Sequence, residues 1–272
     1  MLEEMIGESI IKDDFEAVTR YLGNVPYINL YMLGDVHVGS PVYMEAVYLK
    51  LIDTIKNDPY GYVVIVGDMM NNALKTSKSN VYLETLSPNK QKAYLERSLA
   101  PIASKILAGV GGNHENRSKR DVDIDPLFDV FSTLDIGDRY RSAGACLFIS
   151  LGQNKTQDRG RYGKPLLYTG YVTHGDGGKN AQIRQASSID SIDFYIAGHI
   201  HTGMQEENTK IVFNRQKKVV SFEPIRRIVI KPILGYEEYA IRKNYPPSIP
   251  FSYQTVKLFG DSHKVDYSEM RY

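Results

Sequence analysis

The stretch YINLYMLGDVHVGS, residues 27–40, decides how this chain is read. Its first seven residues form an apolar run too short for a helix and right for a buried strand. A glycine follows, and then an aspartate and a histidine two positions apart, Asp35 and His37. The same arrangement recurs along the chain. YVVIV (62–66) leads into GDMMNN, KILAGV (105–110) into GGNHENRSKR, LLYTGYVT (166–173) into HGDGG, and FYIAG (194–198) into HIHTG. CLFISL (146–151) is a further short apolar run. Helix-like stretches lie between most of these runs. Residues 41–55 form one, with Ser40 as cap and Pro41 at the first position, and 87–105 another of the same design. Shorter candidates are 123–134 and 177–190. Strands alternating with helices imply an α/β domain whose sheet is covered by helices.

The tail differs. Residues 210–232 alternate apolar and polar positions like the strands of a hairpin. The last forty residues, rich in tyrosine and proline, read as irregular cover. No repeat or long linker divides the chain, so the expectation is one domain over 1–272. Its motif core spans 27–203, followed by C-terminal strands and irregular cover over 204–272.

Composition sets broad limits. A chain of 272 residues with 42% apolar and 24% charged residues is ordinary for a globular protein. A net charge of +1 makes no bulk case for a nucleic-acid or membrane partner, so any such case must be local. The single cysteine, Cys146, rules out an internal disulfide framework. With no apolar leader, it points to a reducing, cytoplasmic setting. No apolar run approaches the roughly 18 residues that span a bilayer.

The chemistry collects at the strand ends. Five of the six histidines follow an apolar run at once; only His263 does not. In open α/β sheets, ligands bind outside the carboxyl ends of strands, so these five segments are expected to converge on one crevice. Asp35 and His37 are two apart, as are His199 and His201. In extended backbone such pairs point to one side, whereas in a helix they point about 200° apart. Extended backbone would therefore let each pair address one ion or two neighbouring ions. The donor set is imidazole nitrogen, carboxylate oxygen and amide oxygen, without thiolate, which suits manganese, iron or zinc. Seven ligands exceed the needs of one ion and suit two that share a carboxylate. Such pairs are typical of hydrolysis at phosphorus.

The ordered series D-x-H, G-D, G-N-H-E, H-G and G-H-x-H, from Asp35 to His201, resembles the calcineurin-like metallophosphoesterases. That resemblance implies a two-sheet β-sandwich flanked by helices, a four-layer αββα fold, and two divalent metal ions. Manganese is favoured, with iron, zinc or nickel as alternatives. It implies that Asp35, His37 and His201 hold one metal, that Asn113, His174 and His199 hold the other, and that Asp68 bridges them. His114 would be catalytic, standing beside the scissile phosphate to protonate the leaving oxygen or stabilise the transition state. A metal-bridging water, made acidic, would attack phosphorus as hydroxide in line with the leaving group.

Departures from the family narrow the substrate. Protein phosphatases of this kind carry G-D-x-x-D-R, whereas here Asn71 and Asn72 replace the later Asp and the Arg. Asparagine there is similar to the phosphodiesterase and nuclease branches, including bacterial and phage proteins called DNA repair exonucleases. The expected partner is thus a phosphoester: DNA, RNA or a nucleotide. The alternatives are a phosphomonoesterase on a small metabolite and a non-catalytic metal-binding scaffold. Arg117 and Asn71 are the candidate substrate contacts. Lys119 and Arg120 read equally as a solvated helix start, and Glu115 as a residue that caps or orients its loop.

Overall fold

Each short apolar run becomes a strand in the computed structural model, which describes residues 16–77, 80–153, 163–214, 216, 218–236, 241, 242, 244 and 252–271. The acidic N-terminal stretch 1–15 lies outside the described residues, as does part of the tail. Twelve strands occur among the described residues: β1 Val18–Tyr21, β2 Tyr27–Leu33, β3 Gly61–Ile65, β4 Ile106–Val110, β5 Tyr140–Arg141, β6 Gly144–Leu151, β7 Leu166–Thr173, β8 Phe194–Ala197, β9 Met204–Asn214, β10 Val219–Val229, β11 Ser252–Phe259 and β12 Val265–Arg271. Five α-helices occur among the described residues: α1 Glu45–Asn57, α2 Pro88–Leu99, α3 Glu115–Val122, α4 Pro126–Thr133 and α5 Lys179–Ser187. None is long and apolar enough to cross a membrane.

The strands form two six-stranded mixed sheets, ordered β12-β11-β2-β3-β4-β5 and β1-β6-β7-β8-β10-β9. In the first, β2, β3, β4 and β5 run parallel. In the second, β7, β8 and β10 run parallel, and β9 returns along β10 as the expected hairpin.

Side-chain alternation explains how the sheets pack. Ile28, Leu30 and Met32 of β2 share one buried cluster with Leu147 and Ile149 of β6 and with Phe194 and Ile196 of β8. The two sheets therefore bury one face each against the other. The alternate residues Tyr31 and Leu33 turn to a second cluster, built with Leu51 of α1, Leu95 of α2 and Phe131 of α4. A smaller cluster joins Ala186 of α5 to Tyr195 and Ala197 of β8.

Two expectations are corrected. The helix foreseen over 41–55 starts at Glu45. Residues 41–44 are held away from helical geometry by a neighbouring strand-like segment. Met44 N–H donates to the Ile233 carbonyl at 3.2 Å, and Gly235 N–H donates to the Val42 carbonyl at 2.9 Å. The tail is also not irregular throughout. β11 pairs antiparallel with β2, and β12 with β11. Val256 and Leu258 enter the inter-sheet core, while Ser252, Tyr253, Gln254, Thr255 and Lys257 make the rest of β11 largely polar.

Replacing Leu30 by alanine removes a fully buried side chain between the sheets. The expected loss is about 2–5 kcal/mol of unfolding free energy. Phe213→Ala, at a site 71% exposed, should change it by less than about 0.5 kcal/mol. Urea denaturation of both variants measures the difference, and equal effects would contradict this packing.

Candidate metal centre

The loops after β2, β3, β4, β7 and β8 meet at the carboxyl ends of their strands. Main-chain bonds hold the first two side by side. Asp35 N–H donates to Gly67 O at 3.0 Å, and Val36 and His37 N–H both reach Asp68 O, at 2.9 and 3.0 Å. The buried Glu115 carboxylate binds the β3 and β4 loops together. Its Oε2 accepts the N–H groups of Asp68 and Gly112, each at 2.9 Å, and its Oε1 accepts that of Met70 at 3.0 Å. Gly112 is needed for this approach, since a Cβ there would lie 2.2 Å from Asp68 Oδ1. His199 N–H crosses to Asp35 Oδ2 at 3.0 Å and links the two sheets at the centre.

The two i, i+2 pairs do not lie on the extended backbone expected of them. Asp35, His37, Asp68, His199 and His201 have φ of 47°, 49°, 49°, 76° and 55°. Each is left-handed, a conformation that costs non-glycine residues energy and is concentrated at functional sites. Both members of each i, i+2 pair are turned this way, so the pairs converge through two kinked residues and not through a straight strand.

Three groups of side chains have ligand atoms within 4.8 Å of one another: Asp35–His37–His201, His37–Asp68–His114 and Asp68–His174–His199. Asp68 and His37 belong to two groups each, so the groups form one continuous centre. His201 Nε2 lies 3.3 Å from His37 Nε2 and 3.4 Å from Asp35 Oδ1. On the other side, Asn113 Oδ1 lies 3.0 Å from His174 Nε2 and 2.8 Å from His199 Nδ1. All seven residues expected as ligands are therefore brought together.

The donor chemistry fits a cation. His174 Nδ1 donates to the Val66 carbonyl at 2.8 Å, which turns its Nε2 toward Asn113 Oδ1 and toward Asp68 Oδ2 at 3.2 Å. A neutral ring so fixed sets a lone pair against two oxygen acceptors, an arrangement that requires a proton or a metal between them. Charge agrees with this. Burial acts against charge on His174, yet the Asp68 carboxylate beside it holds the ring up at about 10. Burial drives His37 well below the usual imidazole range, and lowers His114 and His199 as well. Burial, and then Asp68, push Glu115 up to about 7, against the pull of its backbone donors.

His114 caps the start of α3; its Nδ1 bonds the Asn71 carbonyl at 2.7 Å and its Nε2 meets Arg117 Nη2 at 2.9 Å. Arg117 also donates to the Asn71 carbonyl at 2.9 Å. Asn71 thus positions both residues through its backbone, while its side chain donates to Glu84. Asn72 donates to the His114 carbonyl at 2.7 Å. The basic half of the loop is paired elsewhere, Lys119 with Asp125 at 3.7 Å and Arg120 with Asp121 at 3.0 Å. The Val66 and Asn71 carbonyls leave no mark in the sequence, because every residue carries that group and only the fold aims it. Glu84 gave no signal beyond being a charge in a polar loop.

The chain matches no family model, and it matches no curated protein.

Glu115→Gln keeps the shape but replaces a carboxylate oxygen by an amide donor facing backbone N–H groups. Above pH 7, where the Glu115 carboxyl is ionised, a loss of about 1.5–3 kcal/mol is expected in chemical denaturation, the range for bonds to a charged acceptor; an unchanged midpoint would rule out the clasp. Cation binding must displace the His174 proton, which is present at neutral pH because the ring is held at about 10. Binding of Mn²⁺ should therefore release protons at neutral pH and tighten as pH rises toward 10. Without metal the sign reverses. The raised value stabilises the fold below the unfolded value of about 6.5, and that gain is lost as pH rises through about 10. Titration calorimetry in buffers of different ionisation enthalpy checks the proton release, and buffer-independent heats would contradict it.

Proposed function

We propose that this chain is a metal-dependent phosphoester hydrolase, a phosphodiesterase acting on nucleotides or nucleic acid. The observation that carries the reading is the single centre in which ligand groups on either side meet at Asp68, with His114 beside them at the start of α3. Two packed sheets with helices against their outer faces agree with a four-layer αββα metallophosphoesterase fold. In this reading Asp35, His37 and His201 hold one divalent cation, Asn113, His174 and His199 hold the other, and Asp68 lies between them. Two bound cations would supply Lewis acidity toward phosphate oxygens and an acidified water as nucleophile.

The chain's own groups supply the proton and the orientation. The Asn71 carbonyl fixes His114 Nδ1 and leaves Nε2 to Arg117. A phosphate oxygen is a stronger acceptor for a guanidinium than a neutral ring nitrogen. An arriving phosphate would therefore draw Arg117 to itself and free Nε2 for the leaving oxygen. The anionic substrate would also offset the burial and the Arg117 charge that lower His114, favouring the protonated ring a general acid needs. With Lys119 and Arg120 engaged by Asp125 and Asp121, Arg117 is the cationic side chain bonded to His114. That modest charge suits a singly charged diester more than a doubly charged monoester.

His114→Ala should retain metal and lose about two to four orders of magnitude in turnover of bis-p-nitrophenyl phosphate by the Mn-loaded protein. Asp68→Ala should lose metal and activity together. Metal content by elemental analysis, alongside the rates, separates the roles. Metal loss in His114→Ala would overturn its assignment, and an inert Mn-loaded wild type would overturn the function.

A further inference from the structure

A cavity of about 890 Å³ opens beside Asn113 and His174 and runs over the outer face of the second sheet. Its floor is a cross-strand row. Cys146 of β6 pairs with Tyr171 of β7, and Tyr171 pairs with Tyr195 of β8. The two tyrosine rings are nearly parallel, 19° apart in plane with centroids 6.1 Å apart. The Tyr195 hydroxyl is buried without a hydrogen-bond partner among the described residues. Gln185 and Ser188, at the end of α5, form one wall, and Asn116 and Ser142 offer further neutral polar groups.

Charge selects the occupant. No lysine or arginine is among the described residues lining this cavity, whereas Asp176 and Asp190 are. A polyphosphate backbone needs cations along its track, so a nucleic-acid strand is disfavoured here. A neutral, flat, hydrogen-bonding group is favoured, because aromatic faces stack on bases and a cavity of this size takes a small organic ligand. The geometry points to a nucleoside pocket: the cavity takes the uncharged nucleoside of a small nucleotide ester whose phosphate lies at Asn113 and His174. This rests on the phosphodiesterase reading and narrows it to nucleotide esters in preference to DNA or RNA strands.

Cys146, the only cysteine of the chain, lines the cavity and reports its occupancy. In metal-free protein, adenosine or uridine should slow iodoacetamide alkylation of Cys146. The slowing should be roughly tenfold at ten times the dissociation constant, where about one site in eleven stays free. Inorganic phosphate should not slow it. Ser188→Trp adds one tryptophan to a chain that has none, at an exposed rim position, and its fluorescence should be quenched by the same nucleosides. Nucleosides without effect on either readout, or protection by phosphate alone, would overturn the pocket. So would faster cleavage of an oligonucleotide than of thymidine 5′-p-nitrophenyl phosphate by the Mn-loaded protein. Nucleoside protection with no turnover of any phosphoester would support the pocket and overturn the hydrolase; turnover of bis-p-nitrophenyl phosphate without protection would do the reverse.

Discussion

Asp68 is almost wholly buried and ionised, and much of the surrounding structure answers that one charge. Burial works against the carboxylate, but His174 and His114 hold it well below its ordinary value. Its Oδ1 accepts the His114 N–H at 2.8 Å, and its Oδ2 faces His174 at 3.2 Å. Its own main chain is engaged as well, the N–H by Glu115 and the carbonyl by Val36 and His37. A buried charge without such partners would cost several kcal/mol. The loops after β2, β3, β4 and β7 are therefore tied together at one residue, and its buried carboxylate suits a cation.

Much of this was legible in the order of residues. Short apolar runs followed by Asp or His made both the strands and the position of the centre readable, because hydrophobic patterning sets the sheet and the sheet sets where its ends lie. The left-handed backbone at Asp35, His37, His199 and His201 was not legible, since patterning carries no information about φ outside glycine. The turn at 41–44 was hidden for a related reason: Ser40 and Pro41 make a sound local start for a helix, and the partner that overrides them, Ile233, is nearly two hundred positions away. The C-terminal strands escaped because hydroxyl-bearing, amide and charged residues fill most of their positions, so the apolar alternation is faint.

The two sides of the centre differ in chemical character. On the α3 side stand a guanidinium and an imidazole joined to each other and to one carbonyl. On the α5 side lie tyrosines, amides and hydroxyls without a cation among the described lining residues. The first would suit an anion and the second an uncharged ring, so polarity alone would orient a molecule that has both. The paired arginines of β10, Arg226 with Glu207 at 3.1 Å and Arg227 with Glu206 at 3.9 Å, carry their charge into ladder ion pairs across the hairpin.

The β11–β12 hairpin has a consequence for solubility. Without it β2, which delivers Asp35 and His37, would be the border of its sheet, with a row of unpaired amides and the apolar side chains of Leu30 and Met32 close to it. Such borders recruit strands from other molecules and seed aggregates. β11 covers that border, and β12, carrying Asp266 and Glu269, leaves a charged edge in its place. The segment with the faintest pattern thus acts as a guard for the strand with the most chemical value.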